Sequence, residues 1–226
     1  MNMIKRTEYL EELKRWKDKD LIKVVTGIRR CGKSTLFELF MEYLKEEKED
    51  DNDIILINLE SLEYNFSGYK DLYCYIVNKI QDDKKYYVFL DEVQNVDEFQ
   101  KAVDGLYIKK NIDIYITGSN AFLLSGELAT LLTGRYVEIK MLPLSFKEYI
   151  SAFPENNNYQ SLFLEYMKNG GMPGTISVLD LGVNDINKYL DSIFSTIVFK
   201  DIMARNKITE KTLLESIIKF IFDSIG

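Results

Sequence analysis

Histidine is absent from all 226 residues of this sequence, and its absence excludes several kinds of chemistry. Without an imidazole there is no histidine general base, no nucleophile triad built on histidine and no histidine metal ligand. Any general base must therefore be a carboxylate or a less common group.

Cysteine is scarce, and long apolar runs are absent. The two cysteines, Cys31 and Cys74, have no metal-ligand spacing, and their low number suits a reducing compartment, so we expect a cytoplasmic location. No apolar run approaches the length that spans a bilayer, and the first residues lack a secretory pattern, so we expect no membrane partner. The formal net charge of −7 disfavours broad nonspecific binding of nucleic acid, although it leaves a local basic patch open.

The clearest motif is an apolar run that leads into the pattern G-x-x-x-x-G-K-S at residues 27–34. This spacing is typical of a phosphate-binding loop between a buried strand and a helix. Gly27 and Gly32 let the backbone turn tightly, so that successive N–H groups face a β-phosphate. Lys33 supplies a positive charge for the β and γ oxygens, and the Ser34 hydroxyl is a ligand for Mg²⁺. The alternative is a glycine-rich turn that caps a helix.

Three of the four variable residues inside this loop carry a charge or a thiol: Arg29, Arg30 and Cys31. Each arginine could contact phosphate, a lid or a neighbour, or could stay solvated. Near a helix N-terminus and three cations, we expect the Cys31 thiol to be acidified, to react before Cys74 and to be covered by bound nucleotide. The alternative is that Cys31 is a small filler at a variable position.

Strand and helix patterns alternate along the first 150 residues. Strands are predicted near residues 21–26, 54–57, 86–90, 112–117 and 135–141, and this alternation favours a mostly parallel sheet covered by helices on both faces. The second strand is apolar on both faces, which predicts burial, whereas the alternation in the fifth suits an edge. After residue 150 only helical stripes follow. We therefore predict a core domain at 1–150, with an N-terminal helix, and a helical subdomain at 151–226.

Asp91 and Glu92 follow the third predicted strand. In phosphate-loop enzymes a carboxylate at the first position helps to hold Mg²⁺, and a glutamate at the second can accept a proton from the attacking water. The alternative is a polar strand end. A complete strand–helix unit separates the loop from Asp91, so we expect the fourth strand to lie between them. That order would bring Ser119 or Asn120 to the γ-phosphate, unless these residues only form a turn.

Arg135 is the first residue of the fifth predicted strand. An arginine near phosphate can stabilise charge that develops in a transition state. Pairing with surface carboxylates is an equal alternative.

Five segments, in order, resemble the motifs of prokaryotic AAA-type ATPases of the archaeal-ATPase branch, which is related to the STAND NTPases. They are residues 22–34, 89–94, 117–120, 132–135 and 143–148. Residues 170–173 are similar to a further motif of that group, so that the resemblance covers essentially the whole chain. It implies an α/β P-loop NTPase fold of AAA type, with a parallel five-stranded sheet in the order 5-1-4-3-2 and a C-terminal helical subdomain. It also implies ATP and Mg²⁺ as cofactors.

The resemblance also implies roles for individual residues. Lys33, with Ser34 or Thr35, would contact nucleotide and Mg²⁺, Asp91 would be the second metal-associated residue, and Glu92 would activate water.

Other matched positions have less defined roles. Ser119 and Asn120 match the polar sensor position, and Arg135 matches an arginine of uncertain role. Arg205 falls in another family-like stretch and would approach the nucleotide from the helical subdomain.

The resemblance carries an expectation about length and partners as well. Similar proteins continue into a winged-helix domain and a further C-terminal domain, so we expect a truncated form that lacks its effector end. Nucleic acid remains a possible partner of a full-length form, and a homo-oligomer and an unknown protein partner are open.

The function that these observations favour is Mg²⁺-dependent ATP hydrolysis by in-line attack of water. One alternative is a slow nucleotide-dependent switch or scaffold. A phosphotransferase is a second alternative, which an arginine-poor lid region disfavours.

Overall fold

The computed structural model describes residues 4–119, 132, 134–203 and 208–225, without the side chains of residues 200 and 201. In this part of the chain a five-stranded parallel sheet is flanked by helices. Its α-helices and strands are, in chain order, α1 (Thr7–Trp16), β1 (Ile22–Gly27), α2 (Lys33–Glu46), β2 (Ile54–Asn58), α3 (Tyr69–Lys79), β3 (Tyr86–Asp91), α4 (Phe99–Tyr107), β4 (Ile112–Ser119), β5 (Tyr136–Met141), α5 (Phe146–Ser151), α6 (Tyr159–Asn169), α7 (Pro173–Ile176), α8 (Val183–Thr196) and α9 (Lys211–Ser224). A π-helix, Ile197–Met203, follows α8.

The strands lie in the order β2-β3-β4-β1-β5, and every neighbouring pair is parallel. This arrangement confirms the predicted order 5-1-4-3-2 and the expectation that β4 separates the loop strand from the Asp91 strand. The register pairs Gly27 with Ser119 and Leu90 with Ile116. The carboxyl ends of β1, β4 and β3 therefore meet at one edge of the sheet.

Each face of the sheet is covered by its own helices, because alternate strand residues point to opposite faces. One face buries Val24 and Val88 against α3 and α4, and the other buries Val25 and Phe89 against α1 and α2. The second layer is rich in aromatic contacts, since the ring of Phe89 stacks on that of Tyr115 with their centroids 4.7 Å apart. Helix α2 is therefore anchored to the sheet by its own buried side chains, such as Phe37 and Phe40.

The prediction of burial is confirmed for one edge strand, β5, and wrong for the other, β2. The alternation in β5 places Ile139 and Met141 inside and Glu138 and Lys140 outside, as predicted for an edge. The prediction that β2 is buried on both faces is wrong, because Leu56 is 40% exposed. A strand that is apolar on both faces looks the same in sequence whether or not a helix covers its second face.

Helices α5 to α9 follow the sheet. Helix α5 begins with a capping box, in which the Ser145 side chain accepts from the Glu148 backbone N–H and the Glu148 side chain accepts from the Ser145 N–H. Leu144, Tyr149, Leu162 and Ile176 form a separate small core. The division near residue 150 stays a prediction, and most of the helical segment predicted near residues 123–132 lies outside the described residues.

Among the helices that the structure describes, none combines the length and the apolar character that crossing a bilayer requires.

Candidate functional site

The G-x-x-x-x-G-K-S segment joins the end of β1 to the first residue of α2, at the carboxyl edge of the sheet. Both glycines are required there for different reasons. A Cβ on Gly27 would lie 2.6 Å from the Met141 carbonyl oxygen and 2.6 Å from the Cys31 sulfur. Gly32 has a φ of +103°, a conformation that side chains rarely adopt. The loop is therefore tightly packed at its start and strongly turned at its end.

Lys33 opens helix α2, and its side chain folds back along the loop. The ammonium group donates to the carbonyl oxygens of Gly27 and Ile28, at 3.3 Å each, and lies 3.3 Å from the Glu92 carboxylate. The residue is only 4% exposed. These long contacts hold a buried cation within the curve of the loop.

Ser34 and Asp91, at the ends of different elements, meet beside this lysine. The Ser34 hydroxyl donates to Asp91 Oδ2 at 2.6 Å, and the Thr117 hydroxyl donates to the other carboxylate oxygen. Burial raises the pKa of Asp91, and the hydrogen bonds from Ser34 and Thr117 oppose this increase. A hydroxyl and a carboxylate are thus aligned as hard oxygen donors at the carboxyl edge.

Glu92 follows in a left-handed conformation, with a φ of +57°. Its backbone N–H donates to Thr117 Oγ1 at 2.9 Å, so one hydroxyl holds both acidic residues. One carboxylate oxygen of Glu92 faces Lys33, and the other accepts from the Gln94 amide. A left-handed residue without glycine stores backbone strain, which is common at functional sites.

These donors suit Mg²⁺ together with a phosphate chain. Mg²⁺ prefers oxygen ligands and is commonly held by one or two carboxylates plus substrate phosphates. Ser34 and Asp91 provide such oxygens next to the loop and to Lys33. Across the described residues, no three acidic or cysteine side chains come together as a group that could hold a metal ion.

The other residues predicted for this edge are placed as follows. Ser119 is buried beside Gly27, its partner in the sheet register, and Thr35 is half-buried near the start of α2. Asn120 lies outside the described residues, as does Arg205. Thr117 was not among the predicted site residues, although a hydroxyl in the strand that flanks the Asp91 strand could have indicated it.

Cys31 contradicts its prediction. Its side chain is fully buried in the α1–α2 core, with the sulfur close to Gly27, and burial raises the pKa of its thiol. Lys33 and Arg6 oppose this shift but do not overcome it. Cys74, by contrast, is exposed. The expected acidification of Cys31 is therefore wrong, because the motif does not specify which way this loop side chain points. Its burial also argues against the early reaction that we expected.

The two loop arginines contact side chains outside the loop. Arg29 lies 3.6 Å from Glu60. Arg30 is exposed, has a φ of +61°, and places its guanidinium 5.9 Å from the ring centre of Tyr189 in α8. Arg30 therefore connects the loop to the helices that follow the sheet.

Arg135 lies at the opposite end of the sheet from the loop. Its carbonyl oxygen accepts from the Ile22 N–H at the start of β1, and its guanidinium is 5.6 Å from the ring centre of Tyr107. The six residues of β1 separate this end from the loop by about 17 Å. Arg135 is therefore too far from the loop to contact a phosphate bound to its own chain, and the alternative of action on a neighbouring subunit stays a prediction.

An apolar cavity of about 200 Å³ adjoins the loop. Sequence reasoning did not find it, because its walls come from distant segments. They are Ile4, Arg6, Cys31, Gly32, Thr35, Leu144, Ala152, Pro173, Ile176 and Ser177.

A glycine-rich loop between strand and helix, at the carboxyl edge of a parallel sheet in this order, defines a P-loop NTPase domain. A family model described as "AAA domain" matches residues 19–150, which is more than half of the chain. The chain therefore belongs to the AAA domain family.

Two curated relatives are similar over most of this chain. An uncharacterized protein of Haemophilus influenzae is 42% identical over 99% of this chain and 56% of its own length. An uncharacterized protein of Methanocaldococcus jannaschii, MJ1544, is 31% identical over 83% of this chain and 43% of its own length. The chain thus spans about half the length of the curated relatives it matches.

Among solved structures, a closed-state Hsp104 complex with ATPγS and casein is similar in fold. The TM-score is 0.52 at 12% identity, over 74% of this chain and 31% of that chain. The Aeropyrum pernix ORC1 protein in complex with DNA gives a TM-score of 0.46 at 10% identity, over 71% of this chain and 49% of that chain.

Proposed function

We propose that this chain binds Mg·ATP and hydrolyses it by in-line attack of water on the γ-phosphate. The observation that carries the proposal is the 2.6 Å contact between Ser34 Oγ and Asp91 Oδ2, beside the buried Lys33 ammonium. Ser34 and Asp91 belong to different elements, and only the assembled sheet brings them together. A cation next to paired oxygen donors is the arrangement that phosphoryl transfer requires.

In this proposal each side chain has a distinct task. Backbone N–H groups of the loop bind phosphate oxygens, and Lys33 exchanges its loop carbonyls for the β and γ oxygens. Ser34 and Asp91 would hold Mg²⁺, and Thr35 would contact the phosphates of the nucleotide. When bound, Mg²⁺ would neutralise charge on the phosphates.

Glu92 is proposed as the group that orients the attacking water and accepts its proton. Gln94 and the backbone bond to Thr117 position its carboxylate. Ser119, beside Gly27, and Asn120 would bond the γ-phosphate or this water. Once Lys33 bonds to phosphate, one oxygen of Glu92 becomes accessible to a water molecule.

The apolar cavity next to the loop is proposed to hold the base. Its walls of Ile4, Leu144, Pro173 and Ile176 suit a flat aromatic ring, and the cavity opens beside Gly32. The choice of adenine over guanine rests on the resemblance of the sequence motifs to those of ATPases.

The motif order also leads us to infer the archaeal-ATPase branch, related to the STAND NTPases. A homo-oligomer would give Arg135 a role, because an arginine at the amino end of the sheet can reach only the nucleotide of a neighbouring subunit.

A slow nucleotide-dependent switch is the second candidate. The observation that favours it is that both oxygens of Glu92 already have partners, Lys33 and Gln94. Lys33 must leave Glu92 before that carboxylate can serve a water molecule, and this step would limit turnover.

The test compares ATP turnover and Mg·ATP affinity in the wild type, Glu92→Gln and Asp91→Asn. We expect Glu92→Gln to bind as well as wild type but to hydrolyse at least about 10²-fold more slowly. Asp91→Asn should weaken Mg²⁺ dependence and affinity together. Normal hydrolysis by Glu92→Gln would contradict the role of this carboxylate, whereas tight binding with very slow wild-type turnover would favour the switch.

A further inference from the structure

Arg6 is a buried cation to which sequence reasoning gave no role. It is 3% exposed and immediately precedes α1, far from any motif in the chain. Its guanidinium nevertheless reaches the loop. Nη1 donates to the Cys31 carbonyl oxygen at 3.0 Å, and Nη2 donates to the Leu142 carbonyl oxygen, just after β5, at 2.6 Å.

The arginine is itself held firmly. Its Nε lies 2.8 Å from Glu148 Oε1, and Glu148 is fixed in turn by the capping box with Ser145. The Tyr9 ring lies against the guanidinium, 4.8 Å from its centroid, and the Tyr9 hydroxyl accepts from the Leu142 N–H. The backbone of Arg6 is left-handed, with a φ of +45°. This conformation is strained for a residue other than glycine, and the inward contacts of the side chain compensate the strain.

The contact with Cys31 has a consequence for the next residue. In a planar trans peptide, the C=O of one residue and the N–H of the following residue point in opposite directions. By holding the Cys31 carbonyl, Arg6 therefore fixes the direction of the Gly32 N–H. Gly32 has no side chain and a φ of +103°, so little within the residue restrains this peptide. The Gly32 N–H is one of the loop groups that would bind phosphate.

We propose that Arg6 is a positioning residue for phosphate binding, which acts by orienting the Cys31–Gly32 peptide. This inference rests on the proposed function. Glu148 and Leu142 are the anchors of the guanidinium, and the Cys31 carbonyl is the group that it positions. The role requires a planar fork of donors, because a single ammonium group cannot bond to both carbonyl oxygens and also pair with Glu148 at their separate positions.

The experiment uses the full chain with Arg6→Ala, Arg6→Lys and the control Lys17→Ala. Lys17 lies just beyond the other end of α1 and donates to Glu49 at 2.8 Å, remote from the loop. Calorimetry measures the affinity for Mg·ATP and Mg·ADP, and urea unfolding measures stability. We expect Arg6→Ala to weaken both nucleotides by about tenfold or more. Arg6→Lys should show an intermediate loss, and Lys17→Ala should keep wild-type affinity despite any loss of stability.

A spectroscopic readout separates positioning from general destabilisation. The amide resonance of Gly32 should move in Arg6→Lys before any nucleotide is added, whereas that of Gly105, in α4, should stay in place. Arg6→Lys is the deciding variant if Arg6→Ala does not fold. Wild-type affinity together with an unmoved Gly32 resonance in Arg6→Lys would overturn this inference alone. Failure of the wild type to bind either nucleotide would instead overturn the proposed function.

Discussion

At the amino end of the sheet, a buried lysine is surrounded by short hydrogen bonds, whereas at the carboxyl end a second buried lysine has only long ones. Lys23 pairs with Asp113 and donates to the Lys19 carbonyl oxygen at 2.8 Å. Asp113 also accepts from the Tyr115 hydroxyl at 2.8 Å and from the Asp18 N–H at 2.9 Å. Lys33, in the loop, has its three partners at 3.3 Å.

The comparison contrasts an ion pair that stabilises the fold with one that we propose serves phosphate binding. Burial lowers the pKa of Lys23, and the Asp113 carboxylate opposes this decrease. The attraction between the two charges thus offsets part of the cost of burying them. Around Lys33 the backbone is left-handed at three residues, Arg30, Gly32 and Glu92, whereas in the Lys23–Asp113 cluster it is left-handed at Asp18. The short bonds of Lys23 join two strands and stabilise the fold. We propose that the long bonds of Lys33 leave it able to exchange these partners for phosphate oxygens.

The largest effect is expected from Lys23→Met. This change leaves the Asp113 carboxylate buried without its cation, which should reduce the free energy of unfolding by about 3–5 kcal/mol. Urea denaturation measures the loss, and the double variant Lys23→Met with Asp113→Leu should recover part of it. Nucleotide affinity per folded molecule should not change. Wild-type stability of the single variant would show that the two lysines are not different in kind.

Lys33→Ala should have the opposite profile. We expect the affinity for Mg·ATP to fall by roughly 10²-fold, because a cation that would bond to phosphate oxygens is lost. The unfolding free energy should change far less than in Lys23→Met, since the Glu92 side chain keeps its Gln94 partner. Calorimetry and urea denaturation on the same preparation check both parts. Near wild-type affinity would contradict the assignment of the loop.

Thiol labelling offers a smaller effect. Maleimide should modify the exposed Cys74 first, and Cys31 should react only after local unfolding, because its thiol is buried beneath the loop. Peptide mapping over time gives the order, with Cys74→Ser as the control. Early modification of Cys31 in folded protein would mean that the loop opens far more readily than its packing indicates.

The smallest effect is expected from Arg135→Ala. Its guanidinium faces Tyr107 at the amino end, so Mg·ATP affinity in an isolated chain should stay within about twofold of the wild type, as is usual for surface changes. A lower turnover that mixing with Glu92→Gln restores would support action on a neighbouring subunit. A lost affinity at protein concentrations where the chain is monomeric would contradict the placement of this arginine.

The strand–helix alternation could be predicted from periodicity, and the place of β4 between β1 and β3 from the complete strand–helix unit before Asp91. The full strand order came from the resemblance of the motifs to a known family, as did the shared metal role of Ser34 and Asp91. The direction of a variable loop side chain could not be predicted, and Cys31 shows this. Neither could the solvent exposure of β2, since a pattern that is apolar on both faces is common to covered and uncovered strands.

Arg6 could not be predicted for a different reason. A single arginine next to a helix start has no motif, and its importance arises only from carbonyl groups that are distant in sequence. Arg135 was predicted as the first residue of the fifth strand, which in the structure begins one residue later, at Tyr136. The parallel direction of this strand puts Arg135 at the amino end of the sheet. Thr117 lay in a predicted polar strand end, and only the register shows that its hydroxyl faces Asp91.

The central position of β4 has a consequence for how the chain acquires its site during folding. Strands β1 and β3 each pair with β4 and not with each other, so they become part of one sheet only when β4 has inserted between them. Pairings between segments so distant in the chain are slow to form, because the loop-closure entropy must be lost before contacts compensate it. The loop, Asp91 and Glu92 are synthesised well before they can act together. We therefore expect nucleotide-binding capacity to arise in one late folding step, as the middle strand inserts, rather than to build up as the chain grows.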